Sequence, residues 1–383
     1  MTAQTQSEGG EHNKSRLKLF FSADIVGSTA YKQPLDIEND NPATHGAWFD
    51  KVQSFYSNAN EKFSTNFSRY KTYLDTNMPS GVELAGRSPR VWKTLGDEII
   101  FWKEITSSFQ IWVALAAWLL TIKDVRVRLK QDNNLADGPK KSPYLNLDVK
   151  GSVWLAEFPV RNKVIIDSSG LAGPLDRQTI LTNFYNYGLE GSPVDTILPK
   201  VDFVGAGIDV GFRVSSLSSA NRMPISLDVA YLLAKSKDEW LKICKESKLS
   251  LEEVSYLDES FYLPEELETD NAEKSQFTRL ERYLLPRYGG SEPLKGVLGD
   301  VAYPKFWIST VSSGSLEESR LQITNGSSDD RRVTWEGLEK FCTEFYKDRS
   351  RYIAEPFIPG DPSFPNRNQE EYEEFRSHAY QYD

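Results

Sequence analysis

With 383 residues, 39% of them hydrophobic and 12% aromatic, the chain can fill a sizeable core, which excludes wholesale disorder. A formal net charge of -10 excludes a nucleic-acid coat protein, whose footprint is basic, but not a local nucleotide site. Two cysteines, Cys244 and Cys342, are too few for a disulfide framework and too isolated for a zinc site.

Residues 1–15, MTAQTQSEGGEHNKS, have no apolar run and read as a flexible arm rather than a signal peptide, so the expected location is the cytoplasm. In LKLFFSADIVGSTAYK the apolar residues Leu17, Leu19, Phe21 and Ala23 alternate, a strand signal that ends on Asp24 and a small-residue turn, Gly27-Ser28-Thr29. His45 reads as a loop residue, and Trp48 and Phe49 as core. From Gly46 to about Tyr73, apolar residues at 48, 52, 55 and 56 predict a helix. VWKTLGDEIIFWKE predicts a hairpin, with Gly96 relieving the turn.

The run IWVALAAWLL (111–120) is about half a bilayer span. With Thr106, Ser107 and Ser108 before it as caps, it predicts a buried helix over 109–122, followed by VRVRL (125–129). YLNLDVKGSVWLAEF predicts another strand. Residues 160–200 read as loop with one helical piece, RQTILTNFYNYG. KVDFVGAGIDVGFRVSSLSS predicts a strand, a Gly-rich corner and a helix, and Ser226 caps the helix LDVAYLLAKS. Residues 236–290 are charged and insertion-like, and a strand pair around 292–310 forms the last sheet edge. Beyond 311, TWEGLEKFCTEFYKD has an apolar stripe at 335, 338, 342 and 345, and a Pro-rich, acidic tail follows. The order βαββαβ with later strands predicts an α+β or α/β sandwich, helices against one mixed sheet, with α+β the class expected.

Asp24 ends the first strand and Asp97 sits at the hairpin tip, so a βαββ unit brings both carboxylates to one end of the sheet. Two such charges repel unless cations lie between them, and hard oxygen ligands favour magnesium or manganese. The Gly27–Thr29 turn ahead of a helix offers backbone N–H groups to phosphate. That is the layout of a two-metal phosphoryl-transfer site. Taken singly, either acid reads first as an ordinary cap or turn residue; taken jointly, with the Gly-Ser-Thr turn and Lys93 before the hairpin tip, they read as the site. His45 is the one histidine placed where it could serve catalysis, so carboxylates, Lys and Arg are the expected chemistry.

FSADIVGST and KTLGDEIIF resemble the two metal motifs of class III nucleotidyl cyclases, and DFVGAGIDVGFRV (202–214) resembles their Asp-Ile-Trp-Gly-x-x-Val-Asn-x-Ala-x-Arg segment. LKGV (294–297) resembles the late strand that carries a lysine there, Lys295 here. The resemblance covers roughly residues 15–310. It implies a catalytic domain over 16–310, of ferredoxin type, followed by a C-terminal extension over 311–383. It also implies two Mn2+ or Mg2+ ions per site on Asp24, Asp97 and the carbonyl of Ile25. Phe21 and the turn of Gly27, Ser28 and Thr29 would face the triphosphate, Lys93 and Asp202 would read the base, and Arg213 would take up charge during cyclisation. The implied assembly is a head-to-tail homodimer, with Asp24, Asp97 and Lys93 from one subunit and Asp202 and Arg213 from the other. Asp209 stands where the family carries Asn, as a ribose contact, and Val204 where it carries Trp.

Lys93 donates and Asp202 accepts, a pair that every base can satisfy in some orientation. FFSADIVGSTAYK and KTLGDEIIFW are most similar to the pyrimidine cyclases of the bacterial Pycsar anti-phage system. That resemblance implies UTP as substrate, cyclic UMP and pyrophosphate as products, and a separate effector gated by the cyclic nucleotide. Neither nucleic acid nor membrane is an expected partner. The competing expectations are a cytidylate or adenylate cyclase and a non-catalytic nucleotide-binding module.

Overall fold

The computed structural model describes residues 16–29, 42–77, 84–136, 147–158, 161–167, 200–246, 284–294, 302–310, 331–332, 334–349, 355–358 and 361–364. Its centre is a βαββαβ unit of β1 (Arg16–Val26), α1 (Pro42–Asn77), β2 (Arg90–Leu95), β3 (Glu98–Ile105), α2 (Phe109–Ala136) and β4 (Asp148–Phe158). These strands lie in the order β4-β1-β3-β2 with each neighbouring pair antiparallel. The α+β class and ferredoxin-type core expected from the sequence are what the chain adopts. Two further strands, β5 (Asn162–Asp167) and β6 (Lys200–Gly205), pair with each other, and α3 (Ala206–Ser215) follows directly. The large sheet continues beyond β4 through β7 (Arg222–Ile225), then β9 (Ala302–Ser309), β8 (Arg287–Pro293) and β10 (Arg331–Arg332). Only the β4–β7 pairing is parallel among the described strands, which makes the sheet mixed. The remaining helices are α4 (Leu227–Glu246) and α5 (Trp335–Asp348).

The period-2 pattern of β1 sorts its side chains onto two faces. Leu17, Leu19, Phe21, Ala23 and Ile25 point into the larger core, beneath α1 and α2. Phe20 points the other way, into a smaller aromatic core with Ile100, Trp102, Trp154 and Phe203. On α1, the buried residues Trp48, Val52, Phe55, Ala59, Phe63, Phe67, Tyr70 and Leu74 recur every three or four positions, one continuous stripe against the sheet and α2. Residues 111–120 of α2 are buried on every side, because α1, α4 and the sheet surround that helix. VRVRL is not a separate element but the continuation of α2, since neither Gly nor Pro occurs before Gly138 to end the helix.

The first turn of α2 is closed from far along the chain. The Ser108 backbone N–H donates to Asp361 Oδ2 at 2.7 Å, and the Ser108 hydroxyl donates to Asp361 Oδ1 at 2.9 Å. Helix α5 carries its predicted stripe into the same core, with Trp335, Leu338, Cys342 and Phe345 buried and Thr334 capping its N-terminus. Lys235 and Lys237 of α4 bond Glu339 and Glu336 of α5, each at 2.9 Å. Burial pushes the Cys342 thiol well above its ordinary range, which keeps it protonated.

Some expectations need correction. Strands β5 and β7 were not foreseen, being short and, in β7, holding Pro224. His45 belongs to α1 rather than a loop. Phe49 is 69% exposed, because it lies on the side of α1 opposite the stripe. Lys295, His12, His378 and the helical piece at 177–188 lie outside the described residues. Among the described residues, no helix is long and apolar enough to cross a membrane.

Candidate active site

On the face of the sheet covered by α3, side chains of β3, β1 and β4 form cross-strand rows. The register sets Trp102, Phe20 and Trp154 in one row, then Ile100, Ser22 and Ser152, and finally Glu98, Asp24 and Lys150. Toward one strand end the face thus passes from aromatic through hydroxyl to charged. Asp24 belongs to the charged row because even-numbered positions of β1 face α3.

Asp97 joins this row through the hairpin tip. Gly96 has φ 66°, the left-handed conformation the tight turn requires, and the Ile25 N–H donates to the Asp97 carbonyl at 3.4 Å. The Tyr56 hydroxyl of α1 donates to the Gly96 carbonyl, tying the tip to the first helix. Burial raises the Asp24 carboxyl above its ordinary pKa and the nearby Asp97 charge adds to this, while a hydrogen bond and the charge of Lys150 oppose it. Glu98 is raised by burial too, with hydrogen bonds from Ser22 and Ser215 opposing. Lys150 Nζ lies 2.9 Å from Asp24 Oδ2.

Helix α3 reaches this row at its C-terminal end, where the Ser215 hydroxyl lies 3.2 Å from Ser22 Oγ and 3.3 Å from Glu98 Oε1. Gly211 lets α3 lie directly on the Trp154 indole, which a Cβ there would meet at 2.2 Å. The outer side of α3 carries Asp209 and Arg213, both exposed and one helical turn apart. At the β2 edge, Lys93 Nζ donates to Asp202 Oδ1 at 2.7 Å and lies 4.0 Å from the Trp92 ring centroid.

The structure therefore brings Asp24 and Asp97 together, as the sequence predicts. Gly27, with φ 86°, and Ser28 and Thr29 begin the turn beside them, Ser28 buried and Thr29 exposed. Phe21 is a correction: it is fully buried on the opposite face, against Phe63 and Trp118, so its side chain does not face a triphosphate. The expected split of Lys93 and Asp202 between subunits is a second correction. The β5–β6 ribbon folds back over the α3 face, and Phe203 packs on Trp92 and Trp102, which seats Asp202 beside Lys93 of the same chain. Sequence reasoning missed Lys150, Glu98, Ser22, Ser215 and the role of Tyr56. Glu98 was within sight as the neighbour of Asp97, whereas Lys150 and Ser215 become visible only with the strand register.

Among the described residues, no three His, Cys, Asp or Glu side chains converge as a metal-binding group. The two carboxylates of Asp24 and Asp97, beside the Ile25 peptide, form an oxygen-only set at a strand end. Such a set fits a magnesium-type ion, which uses one or two carboxylates and completes its shell with phosphate and water.

No family model matches the sequence, and no curated protein matches it. Among solved structures the chain is similar to the adenylyl cyclase CyaB from P. aeruginosa, with 13% identity and a TM-score of 0.39 over 78% of this chain and 96% of that one. It is similar to the guanylyl cyclase Cya2, with 12% identity and a TM-score of 0.32 over 78% of this chain and 94% of that one. A third is a bacterial light-regulated adenylyl cyclase, with 11% identity and a TM-score of 0.35 over 80% of this chain and 56% of that one.

Proposed function

We propose that the chain is a nucleotidyl cyclase that converts UTP to 3′,5′-cyclic UMP and pyrophosphate. The observation that carries this reading is the meeting of Asp24 and Asp97 at one strand end, beside the Gly27–Thr29 turn. Backbone donors of that turn hold phosphate oxygens, and the two carboxylates hold Mn2+ or Mg2+. When bound, two such ions supply Lewis acidity to the ribose 3′-hydroxyl and countercharge to the phosphates. The 3′-oxygen bonds to the α-phosphorus as the hydroxyl passes its proton to solvent water, and the bond from the α-phosphorus to the bridging oxygen breaks, with its electron pair leaving on pyrophosphate. Lys93 and Asp202 bind the base edge, and Arg213 steadies charge on the α-phosphate.

The exposed placement of Asp209 and Arg213 on α3 supports a head-to-tail homodimer in which they serve the partner's Asp24 cluster. Residues 16–310 form the catalytic domain in this reading, with 311–383 as an extension whose described residues Trp335, Leu338, Cys342 and Phe345 join the main core. The preference for UTP, the cytoplasmic setting and the anti-phage role with a cyclic-UMP-gated effector rest on the resemblance of FFSADIVGSTAYK and KTLGDEIIFW to pyrimidine cyclases.

The test is to incubate the purified protein with Mn2+ and each nucleoside triphosphate separately and to identify products by mass spectrometry. Cyclic UMP is expected from UTP, with Asp24→Asn and Asp97→Ala each lowering turnover at least about a hundredfold. Cyclic CMP or cyclic AMP instead would make the protein a cytidylate or adenylate cyclase. Nucleotide binding with no product from any triphosphate would favour a non-catalytic module, a reading that Asp209 and the 39% exposed Val204 support.

A further inference from the structure

The charged row contains one cation, and its position is informative. Lys150 is the register partner of Asp24 on β4, and its ammonium lies 2.9 Å from Asp24 Oδ2. Its charge also reaches Glu98. The side chain is 29% exposed and that of Asp24 is 25% exposed, so the pair sits at the mouth of the site, where solutes can reach it. One ammonium there offsets the charge of Asp24, which otherwise repels both Asp97 and Glu98.

Resting on the two-carboxylate reading above, we propose that Lys150 is a displaceable counter-ion that competes with a divalent cation for Asp24. An ammonium and a divalent ion cannot share one carboxylate oxygen closely without strong repulsion. The four-carbon stem of lysine lets the ammonium leave Asp24 without moving the backbone. Lys150 thereby keeps the acids compensated before substrate arrives and makes metal binding weak on its own. A metal that arrives with a triphosphate brings extra negative charge for the displaced ammonium to meet. Lys150 is thus a positioning residue, acting through Asp24.

The test is Mn2+ binding to the full-length protein without nucleotide, followed by the electron paramagnetic resonance of the free ion. Lys150→Gln is expected to bind Mn2+ at least about tenfold more tightly than the unmodified chain, and Lys150→Arg to bind it no more tightly. In the metal-free state Lys150→Gln is expected to melt at a lower temperature, with Mn2+ restoring the loss. Unchanged or weaker Mn2+ binding by a folded Lys150→Gln variant overturns the proposal. Asp24→Asn separates the two ideas. If that variant loses Mn2+ binding while Lys150→Gln gains none, the lysine proposal alone fails. If Asp24→Asn binds Mn2+ like the unmodified chain, the two-carboxylate reading fails and takes the lysine proposal with it.

Discussion

Asp228, in the first turn of α4, accepts a hydrogen bond from the Tyr346 hydroxyl of α5. Burial raises its pKa, outweighing the Tyr346 hydrogen bond and the positive charge of Arg161. A carboxyl raised on folding holds its proton more tightly in the native state. Its contribution is therefore most favourable at low pH and is lost as pH rises through the raised value. Asp228→Asn keeps an acceptor for Tyr346 and removes the buried charge. The variant is expected to match the unmodified chain near pH ~4 and to melt a few degrees higher near pH ~8, as followed by circular dichroism. A gap that stays constant with pH would rule out buried ionisation as the cause. Nothing in LDVAYLLAKS marks Asp228 as different from an ordinary first-turn acid, because the tyrosine above it is supplied by a distant helix. Asp24 was legible for the opposite reason: an acid near the end of an apolar strand stands out locally, whatever packs over it.

At the scale of elements, α3 is held by a contact that tolerates no side chain. Gly211 rests on Trp154, which stacks on Phe20 at 5.5 Å between ring centroids. Gly211→Ala forces either the helix or the indole to move, at a cost of about 1–3 kcal/mol. Urea unfolding should show that loss, and turnover should fall with it, because the same shift withdraws Ser215 from Ser22 and Glu98. Full stability in Gly211→Ala would mean that α3 packs more loosely than this contact requires. The long and strongly patterned elements, α1, the β2–β3 hairpin and α5, were legible from periodicity. The short ones were not: β7 has four residues and meets β4 at the single register pair Val153↔Ile225, so tertiary pairing rather than sequence defines it. The continuity of α2 through VRVRL follows the same logic, since β-branched residues suggest a strand until α1 and the sheet claim them.

At the scale of the whole molecule, the two corners of the candidate site point in different directions. The Asp24 row lies beneath α3, whereas Arg213 faces outward from the same helix. If two chains complete each other, Asp24→Asn and Arg213→Ala should each be inactive alone. Mixed and allowed to exchange, they should recover about a quarter of normal turnover, because half the dimers are mixed and one of their two sites is intact. No recovery, with exchange verified, would place both groups in one chain's site. Only part of this arrangement is legible in the sequence. The motifs named the residues, but the seating of Asp202 beside Lys93 in one chain depends on how the β5–β6 ribbon folds back.

The closure of α2 by Asp361 has a bearing on how the molecule comes into being. A ribosome releases the chain from its N-terminus, so Ser108 and the buried run behind it emerge long before Asp361 does. The enclosed helix α2 is thus finished by residues made well after it, and so are the bonds from α5 that fasten α4. A translation product halted before residue 361 would already contain Asp24, Asp97, Lys150 and Arg213, and would still lack the residue that closes α2. Closure of α2 thus waits on residue 361, not on the appearance of the acids in the Asp24 row.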